Sequence, residues 1–86
     1  MDPELATCWR IFQRALEVRY VEGPDDLRQI QSVVLGESRY SDIGFQELMI
    51  ERQGPRVRVS LLEDSATCSA AAFAAALEKL GSDSAK

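Results

Sequence analysis

The segment from Glu4 to Val18 has a strongly amphipathic helical pattern, and this pattern constrains the fold more than any other feature of the chain. Its apolar side chains fall on one side of a helical projection and its polar side chains on the other. Such a helix is stable mainly when its apolar side packs against another element. Pro3 suits the first turn, where an amide hydrogen would have no partner. The sequence therefore predicts a long first helix that covers a core containing Trp9 and Phe12.

A second helix is predicted to begin at Pro24. Arg19 would fall in the middle of the apolar side of the first helix, so we expect that helix to end just before it. The segment 19–22 is then extended, and the pattern leaves open a short strand there. Two carboxylates after the proline favour a helix start, and Gly36 suits the left-handed conformation that ends a helix. The segment 37–44 has the composition of a loop.

Two segments of alternating character, 45–53 and 56–62, predict a β-hairpin around Gly54 and Pro55. A turn with an even number of residues places the apolar side chains of both strands on one face and the charged side chains on the other. A turn with an odd number would bury charges. The predicted cross-strand pairs are Leu48 with Leu61, Ile50 with Val59, and Glu51 with Arg58.

A third helix is predicted near the C-terminus. Asp64 or Ser65 can cap its first turn, and the helix is expected to run to Leu80. Gly81 then acts as its C-terminal stop, and residues 82–86 form a flexible tail.

These elements predict one small α+β domain, structured from about residue 3 to residue 81, in the order helix, helix, β-hairpin, helix. The 86 residues are enough for one core only. A two-stranded sheet is barely stable alone, so helices must cover one of its faces. We expect the opposite face and the outer edges of the hairpin to remain open, and a domain this small would gain stability by self-association.

The lack of a membrane span and of a secretory signal in the sequence predicts a cytoplasmic protein. A net charge of −4 disfavours a surface for polyanions. The longest uncharged run, 65–77, is too short for a bilayer span, and the N-terminus lacks the features of a secretory signal. Cys8 and Cys68 are too far apart for a CxxC motif, and two cysteines are too few for a disulfide framework. We therefore expect both thiols to be reduced. The lack of His and Asn, with many Ala and Arg, suggests a GC-rich bacterial or phage genome.

Enzyme activity is not expected, and neither is a cofactor or a metal ion. The chain has no histidine, which is the commonest general base and metal ligand. Two alternatives stay open. Cys68, near the predicted start of the third helix, could have a lowered pKa and act as a nucleophile. Glu47 and Glu51 could form an acid and base pair, although the outward face of the hairpin would leave both carboxylates solvated.

The outward face or edge of the hairpin at 45–62 is the predicted site of function. We expect a protein-binding or regulatory module, such as an adaptor, an inhibitor or a chaperone, with another protein or a second copy as partner. Arginine, aromatic and methionine side chains are typical of protein interfaces. The predicted partner-binding residues are Arg39, Tyr40, Phe45, Met49, Arg56, Arg58 and Leu62. The alternative is a nucleic-acid-binding regulator, disfavoured by the acidic charge, that acts through hairpin and loop arginines. These are Arg39, Arg52, Arg56 and Arg58.

Overall fold

The computed structural model has the predicted α+β character, with two strands more than the sequence predicts. It describes the backbone of residues 2–84 and side chains as far as Gly81. The elements are α1 (Pro3–Glu17), α2 (Gly23–Leu35), β1 (Asp42–Phe45), β2 (Leu48–Gln53), β3 (Arg56–Leu61), β4 (Asp64–Ser69) and α3 (Ala70–Ser84). The strands form one antiparallel sheet in the order β1-β2-β3-β4, so each strand pairs with the next along the chain.

Helix α1 ends where the pattern predicts, and the way it ends excludes the short strand left open at 19–22. Arg19 adopts a left-handed conformation with φ 63°. The amide of Arg19 donates to the carbonyl of Leu16, and the amide of Tyr20 donates to that of Ala15. This is the Schellman arrangement of a helix end. Because these amides close the helix, the segment forms a turn rather than a strand.

Helix α2 ends in the same way at Gly36, whose φ is 76°. The amide of Glu37 donates to the carbonyl of Ser32. A guanidinium nitrogen of Arg52 donates to the carbonyl of Val34 at 2.6 Å and lies against Gly36. A cation at this position also opposes the negative end of the helix dipole. The contact therefore ties the C-terminus of α2 to strand β2.

The hairpin formed by β2 and β3 has the predicted register. Its turn has two residues, and Gly54 supplies the positive φ, 61°, that such turns need at their first position. The prediction of an even turn is therefore confirmed. The observed pairs are Leu48 with Leu61, Ile50 with Val59, and Glu51 with Arg58.

Strands β1 and β4 extend this hairpin, and the sequence predicts neither of them. β1 lies mainly in the segment predicted as a loop, and β4 lies where the third helix was expected to begin. Each is joined to the hairpin by a two-residue turn whose first residue has a positive φ, Gln46 (59°) and Leu62 (56°). Glycine or asparagine normally mark such turns. The expectation of open hairpin edges is wrong. β1 pairs with the edge of β2 and β4 with the edge of β3, so the free edges of the sheet belong to β1 and β4.

Helix α3 begins at Ala70, and the predicted cap at Asp64 or Ser65 is wrong because those residues belong to β4. Ser69 takes the capping role instead. Its hydroxyl accepts a hydrogen bond from the amide of Ala72 at 3.2 Å. A serine three residues before the bonded amide is a typical helix N-cap.

The predicted stop of α3 at Gly81 is also wrong, since the helix continues to Ser84. Gly81 does not have the positive φ that would end a helix. A glycine inside a helix costs only about 1 kcal/mol relative to alanine, so the helix can pass through it. Of the predicted tail at 82–86, the first three residues are helical and residues 85–86 lie outside the described part of the chain.

The core lies between the helices and one face of the sheet. An aromatic cluster joins α1 to α3 through Trp9, Phe12 and Phe73, whose ring centroids are 5.3 to 5.6 Å apart. Phe12 and Phe73 are fully buried. The sheet contributes fully or almost fully buried side chains from its three longer strands, Leu48, Ile50, Val57, Val59, Leu61 and Cys68. The helices therefore shelter one face of the sheet, as predicted.

Candidate protein-binding surface

The face of the sheet opposite the helices carries alternate residues of all four strands, and we call it the outer face. Side chains alternate between the two faces of a pleated strand, and the alternating burial of the strands follows this rule. The outer face has three rows that cross the strands. They are Gln53, Arg56 and Ser69 in the first row, Asp42, Glu51, Arg58 and Thr67 in the second, and Gly44, Met49, Ser60 and Ser65 in the third.

Met49 is the exposed apolar side chain of the third row, with 45% of its surface accessible. Its neighbours across the strands are Gly44 and Ser60. The thioether lies over Gly44, where an added Cβ would be 3.3 Å from the Met49 Cε atom. The hydroxyls of Ser60 and Ser65 are hydrogen-bonded at 3.2 Å. Met49 therefore projects above short side chains on the outward side, as predicted, and leaves room beside it for a partner's side chain.

The second row separates charges across the outer face. Asp42 and Glu51 lie side by side on β1 and β2, and Arg58 lies on β3. Although Glu51 is opposite Arg58, no carboxylate among the described side chains, residues 2–81, lies within 4.0 Å of the Arg58 guanidinium. Glu51 instead accepts a hydrogen bond from Gln53 at 3.2 Å. The carboxylates of Asp42 and Glu51 and the unpaired guanidinium of Arg58 are therefore available to a partner.

Arg56 lies on the outer face but is already engaged. Its two terminal nitrogens donate to the carboxylate of Glu4 at 3.1 and 3.0 Å, and one of them also donates to the hydroxyl of Thr67 at 3.1 Å. The hydrogen bonds with Arg56 hold the pKa of Glu4 below its ordinary value, and the same contact raises the pKa of Arg56. The pair joins the start of α1 to the sheet. The Arg56 guanidinium is therefore already used within the monomer, where it connects α1 to the sheet.

Two predicted binding residues within the segment 45–62, Phe45 and Leu62, do not lie on the outer face. The turn at Gln46 reverses the chain before β2, so Phe45 pairs with Leu48 on the side of the helices and packs against the core. The prediction that Phe45 faces outward with Met49 is therefore wrong. Leu62 lies in the turn after β3 and is 69% exposed, so it projects beyond the end of the sheet.

Arg39 and Tyr40 lie in the loop before β1. The Arg39 guanidinium is 5.3 Å from the centre of the Tyr40 ring, at the distance of a cation–π contact. Tyr40 is exposed and borders a shallow cavity of about 290 Å³ with Asp42 and Ile43 of β1 and with α2. The pair therefore lies beside the β1 edge of the sheet.

The four arginines of the nucleic-acid alternative are dispersed. Arg52 points to the helix side, where it binds a carbonyl of α2, and Arg56 is paired with a carboxylate. Arg39 lies before β1, so only Arg58 remains unpaired on the outer face. A phosphate backbone needs several cations along one surface. This arrangement weakens the nucleic-acid alternative.

The two cysteines are buried thiols, and Cys68 precedes Ser69, the N-cap of α3, by one residue. It lies in β4, and both side chains have no accessible surface. Burial, and secondarily the neighbouring Cys8 thiol, raises the pKa of Cys68 to about 12, and burial also raises the pKa of Cys8. Thiolate is the reactive form. The expected lowering of the Cys68 pKa by a helix dipole is therefore wrong.

Neither a metal centre nor a paired acid and base is formed by the described residues. The side chains described, residues 2–81, contain no cluster of three or more potential metal ligands from His, Cys, Asp and Glu. No helix in this range combines the length and apolar character needed to cross a bilayer. Glu47 lies in a turn and Glu51 lies four residues further on, so about 13 Å of strand separates them. Glu47 and Glu51 are therefore not neighbours in the structure.

No known protein family matches the chain, and neither a curated protein nor a solved structure is significantly similar to it. Its function must therefore be argued from its own surfaces.

Proposed function

We propose that the chain is a small non-enzymatic protein-binding or regulatory module that acts through the outer face of its sheet. The supporting observation is a sheet face left accessible by the described helices, on which an exposed Met49 projects near an unpaired Arg58. Methionine adapts to different partner shapes, and arginine is enriched at interfaces. An adaptor, an inhibitor or a chaperone would use such a face in the same way. The two free thiols support the cytoplasm as its location.

The partner we propose is a second copy of the chain, because the outer face is complementary to itself. Consider a two-fold axis that runs parallel to the strands, between β2 and β3. It places β2 of one copy over β3 of the other and keeps each row opposite the same row. Glu51 then faces Arg58 of the second copy, and Met49 faces the short side chain of Ser60. Packed sheets keep their strands nearly aligned, which this arrangement satisfies.

The size of the outer face predicts a weak dimer. Four strands about 4.8 Å apart and about 20 Å long give a footprint of roughly 400 Å² for each copy. The total of about 800 Å² is below the roughly 1,200 Å² of standard stable interfaces. We therefore expect a dissociation constant of about 10 to 100 μM, which corresponds to about 5.5 to 7 kcal/mol.

Sedimentation equilibrium over a range from about 10 μM to 1 mM tests this proposal. The wild-type mass should rise from monomer toward dimer, and Met49→Asp should abolish the rise. Leu35→Asp is a matched control, because Leu35 is 44% exposed but lies on α2. A wild-type protein that stays monomeric at the highest concentration would contradict the homodimer.

A charge exchange tests the orientation of the two copies. Arg58→Glu places like charges opposite each other and should weaken the dimer at least tenfold. The double variant Glu51→Arg, Arg58→Glu reverses both charges and should restore association. Recovery in the double variant is specific to this pairing, and a double variant as weak as Arg58→Glu would refute the arrangement. Thermal unfolding of each variant at low concentration controls for loss of monomer stability.

A further inference from the structure

The outer edge of β4 presents unpaired backbone groups. The amide of Ala70 donates to the carbonyl of Pro55 at 2.9 Å, which fixes the hydrogen-bonded pairs between β3 and β4. Because bonded and non-bonded pairs alternate in an antiparallel ladder, Ser65 and Thr67 direct their amides and carbonyls away from β3. No described residue forms a hydrogen bond with these backbone groups. Two backbone donors and two backbone acceptors are therefore available on this edge.

A groove lies between this edge and α1. The helix runs antiparallel to β4, with Glu4 near the end of the strand and Arg14 near its start, where Arg14 meets Asp64 at 3.4 Å. The groove has a volume of about 270 Å³. Its lining residues are Thr7, Arg10, Ile11 and Arg14 of α1, with Asp64 and Ser65 of β4.

The walls of the groove differ in character. Ile11 is only 7% exposed and forms an apolar floor. Arg10 is exposed, and within residues 2–81, where side chains are described, no carboxylate lies within 4.0 Å of its guanidinium. Arg14 has one exposed contact with Asp64, and exposed ion pairs of this kind contribute little to stability. The groove lining thus has two arginines and one carboxylate, an excess of one positive charge in a chain whose net charge is −4.

We propose that this groove binds an extended acidic peptide segment, which adds a fifth strand to the sheet along β4. The amides of Ser65 and Thr67 would donate to peptide carbonyls, and their carbonyls would accept from peptide amides. Alternate peptide side chains then point toward α1, where Arg10 and Arg14 select carboxylates. The site uses the backbone edge of Ser65 and Thr67, whose side chains belong to the outer face, and it does not depend on the proposed homodimer.

The other free edge is less suited to this role. β1 has four residues, and its pairing with β2 turns only Asp42 and Gly44 outward. Asp42 would repel an acidic segment, and Met49 lies over Gly44. β4 has six residues and the basic helix beside it. The two edges therefore differ in both length and charge.

The probe is a fluorescein-labelled heptapeptide of alternating glutamate and valine, with both ends blocked, measured by fluorescence anisotropy at low and physiological salt. We expect binding that weakens with salt. The same peptide with lysine for glutamate should bind at least tenfold more weakly, and Arg10→Glu should reverse this preference. Equal affinity for the two peptides, or no binding of the glutamate peptide at millimolar concentration, would overturn the proposal.

Two matched variants test the backbone contact. Ser65→Ala and Ser65→Pro both remove the hydroxyl, but only proline removes the outward amide, and proline is tolerated on strand edges. The proline variant should bind the glutamate peptide about tenfold more weakly than the alanine variant, the ratio expected for one hydrogen bond. Circular dichroism checks that both variants fold. Equal affinities would overturn strand addition.

A second measurement needs no protein variant. Methylation of alternate peptide amides blocks one edge of the peptide, and one of the two methylated patterns should lose binding to the wild-type protein. If both patterns bind as well as the parent peptide, the proposal fails. Met49→Asp distinguishes the two proposals, because it should abolish the dimer without changing the affinity for the peptide. The opposite result is also informative. If Ser65→Pro abolishes the dimer and Met49→Asp leaves it intact, β4 pairs with β4 of a second copy. That result would overturn a peptide as the occupant of the edge.

Discussion

Replacing Gly36 by alanine should destabilise the domain in two separable ways. The left-handed φ of 76° is unfavourable for alanine by about 1 to 2 kcal/mol. The new Cβ would also lie 2.9 Å from a terminal nitrogen of Arg52. The guanidinium is the flexible end of its side chain and can move away, but it then loses its hydrogen bond to the carbonyl of Val34. That loss adds about 1 kcal/mol, so we expect a total of about 2 to 3 kcal/mol.

A double-mutant cycle separates these two effects. In the background of Arg52→Ala the hydrogen bond is already absent, so Gly36→Ala should cost only the backbone component. The four proteins are compared by urea unfolding, followed by circular dichroism at low protein concentration. We expect a coupling energy of about 1 kcal/mol between the two positions. If the two changes in unfolding free energy are additive to within about 0.3 kcal/mol, the hydrogen bond of Arg52 does not depend on Gly36, and the prediction is refuted.

Two further predictions follow from the turns and the thiols. Leu62→Gly should stabilise the domain in urea unfolding by up to about 1 kcal/mol, because a φ of 56° is unfavourable for leucine and the side chain is exposed. Glu63→Gly, at the next turn position without a positive φ, should destabilise it, and a less stable Leu62→Gly protein would contradict this reading. A Cys68 pKa of about 12 implies about a thousandfold less thiolate at pH 8 than for a thiol with a pKa of 9.0, so alkylation of the folded protein should be correspondingly slow. Because the folded pKa lies above the ordinary value, this thiol contributes stability that is present below pH 9 and is lost as pH rises toward 12. Rapid alkylation of Cys68 at pH 8, or unchanged stability between pH 9 and 11, would count against it.

The sequence predicts the elements whose signals are local. The first two helices have clear apolar periodicity and recognisable ends, and the central hairpin has a Gly54 turn between alternating strands. The flanking hairpins lack such signals, because their turns use Gln46 and Leu62 in a conformation that favours glycine. The strand that follows Leu62 consists of small residues that suit a helix equally well. Its weak period-two pattern, with Ala66 and Cys68 inward, was the only sign of a strand.

The candidate surface was predictable only in part, for related reasons. Met49 and Arg58 lie on the outward side because period two fixes their direction once the hairpin is known. Phe45 was misplaced because the chain reverses at an unpredicted turn. The engagement of Arg56 by Glu4 joins residues 52 positions apart, and no local pattern reports such a contact. The open edge of β4 could not be seen before β4 itself was known.

The even spacing of the three strand turns, which begin at positions 46, 54 and 62, has a consequence for folding kinetics. Every strand pairs with its immediate successor, so the sheet can form by closing loops of only two residues. Helix α1 is different, because its contacts with β4 join positions such as Arg14 and Asp64 that are 50 residues apart. Rates of folding fall as contacts become more distant in sequence. The meander should therefore form early, and the docking of α1 should complete both the core and the groove at the edge of the sheet.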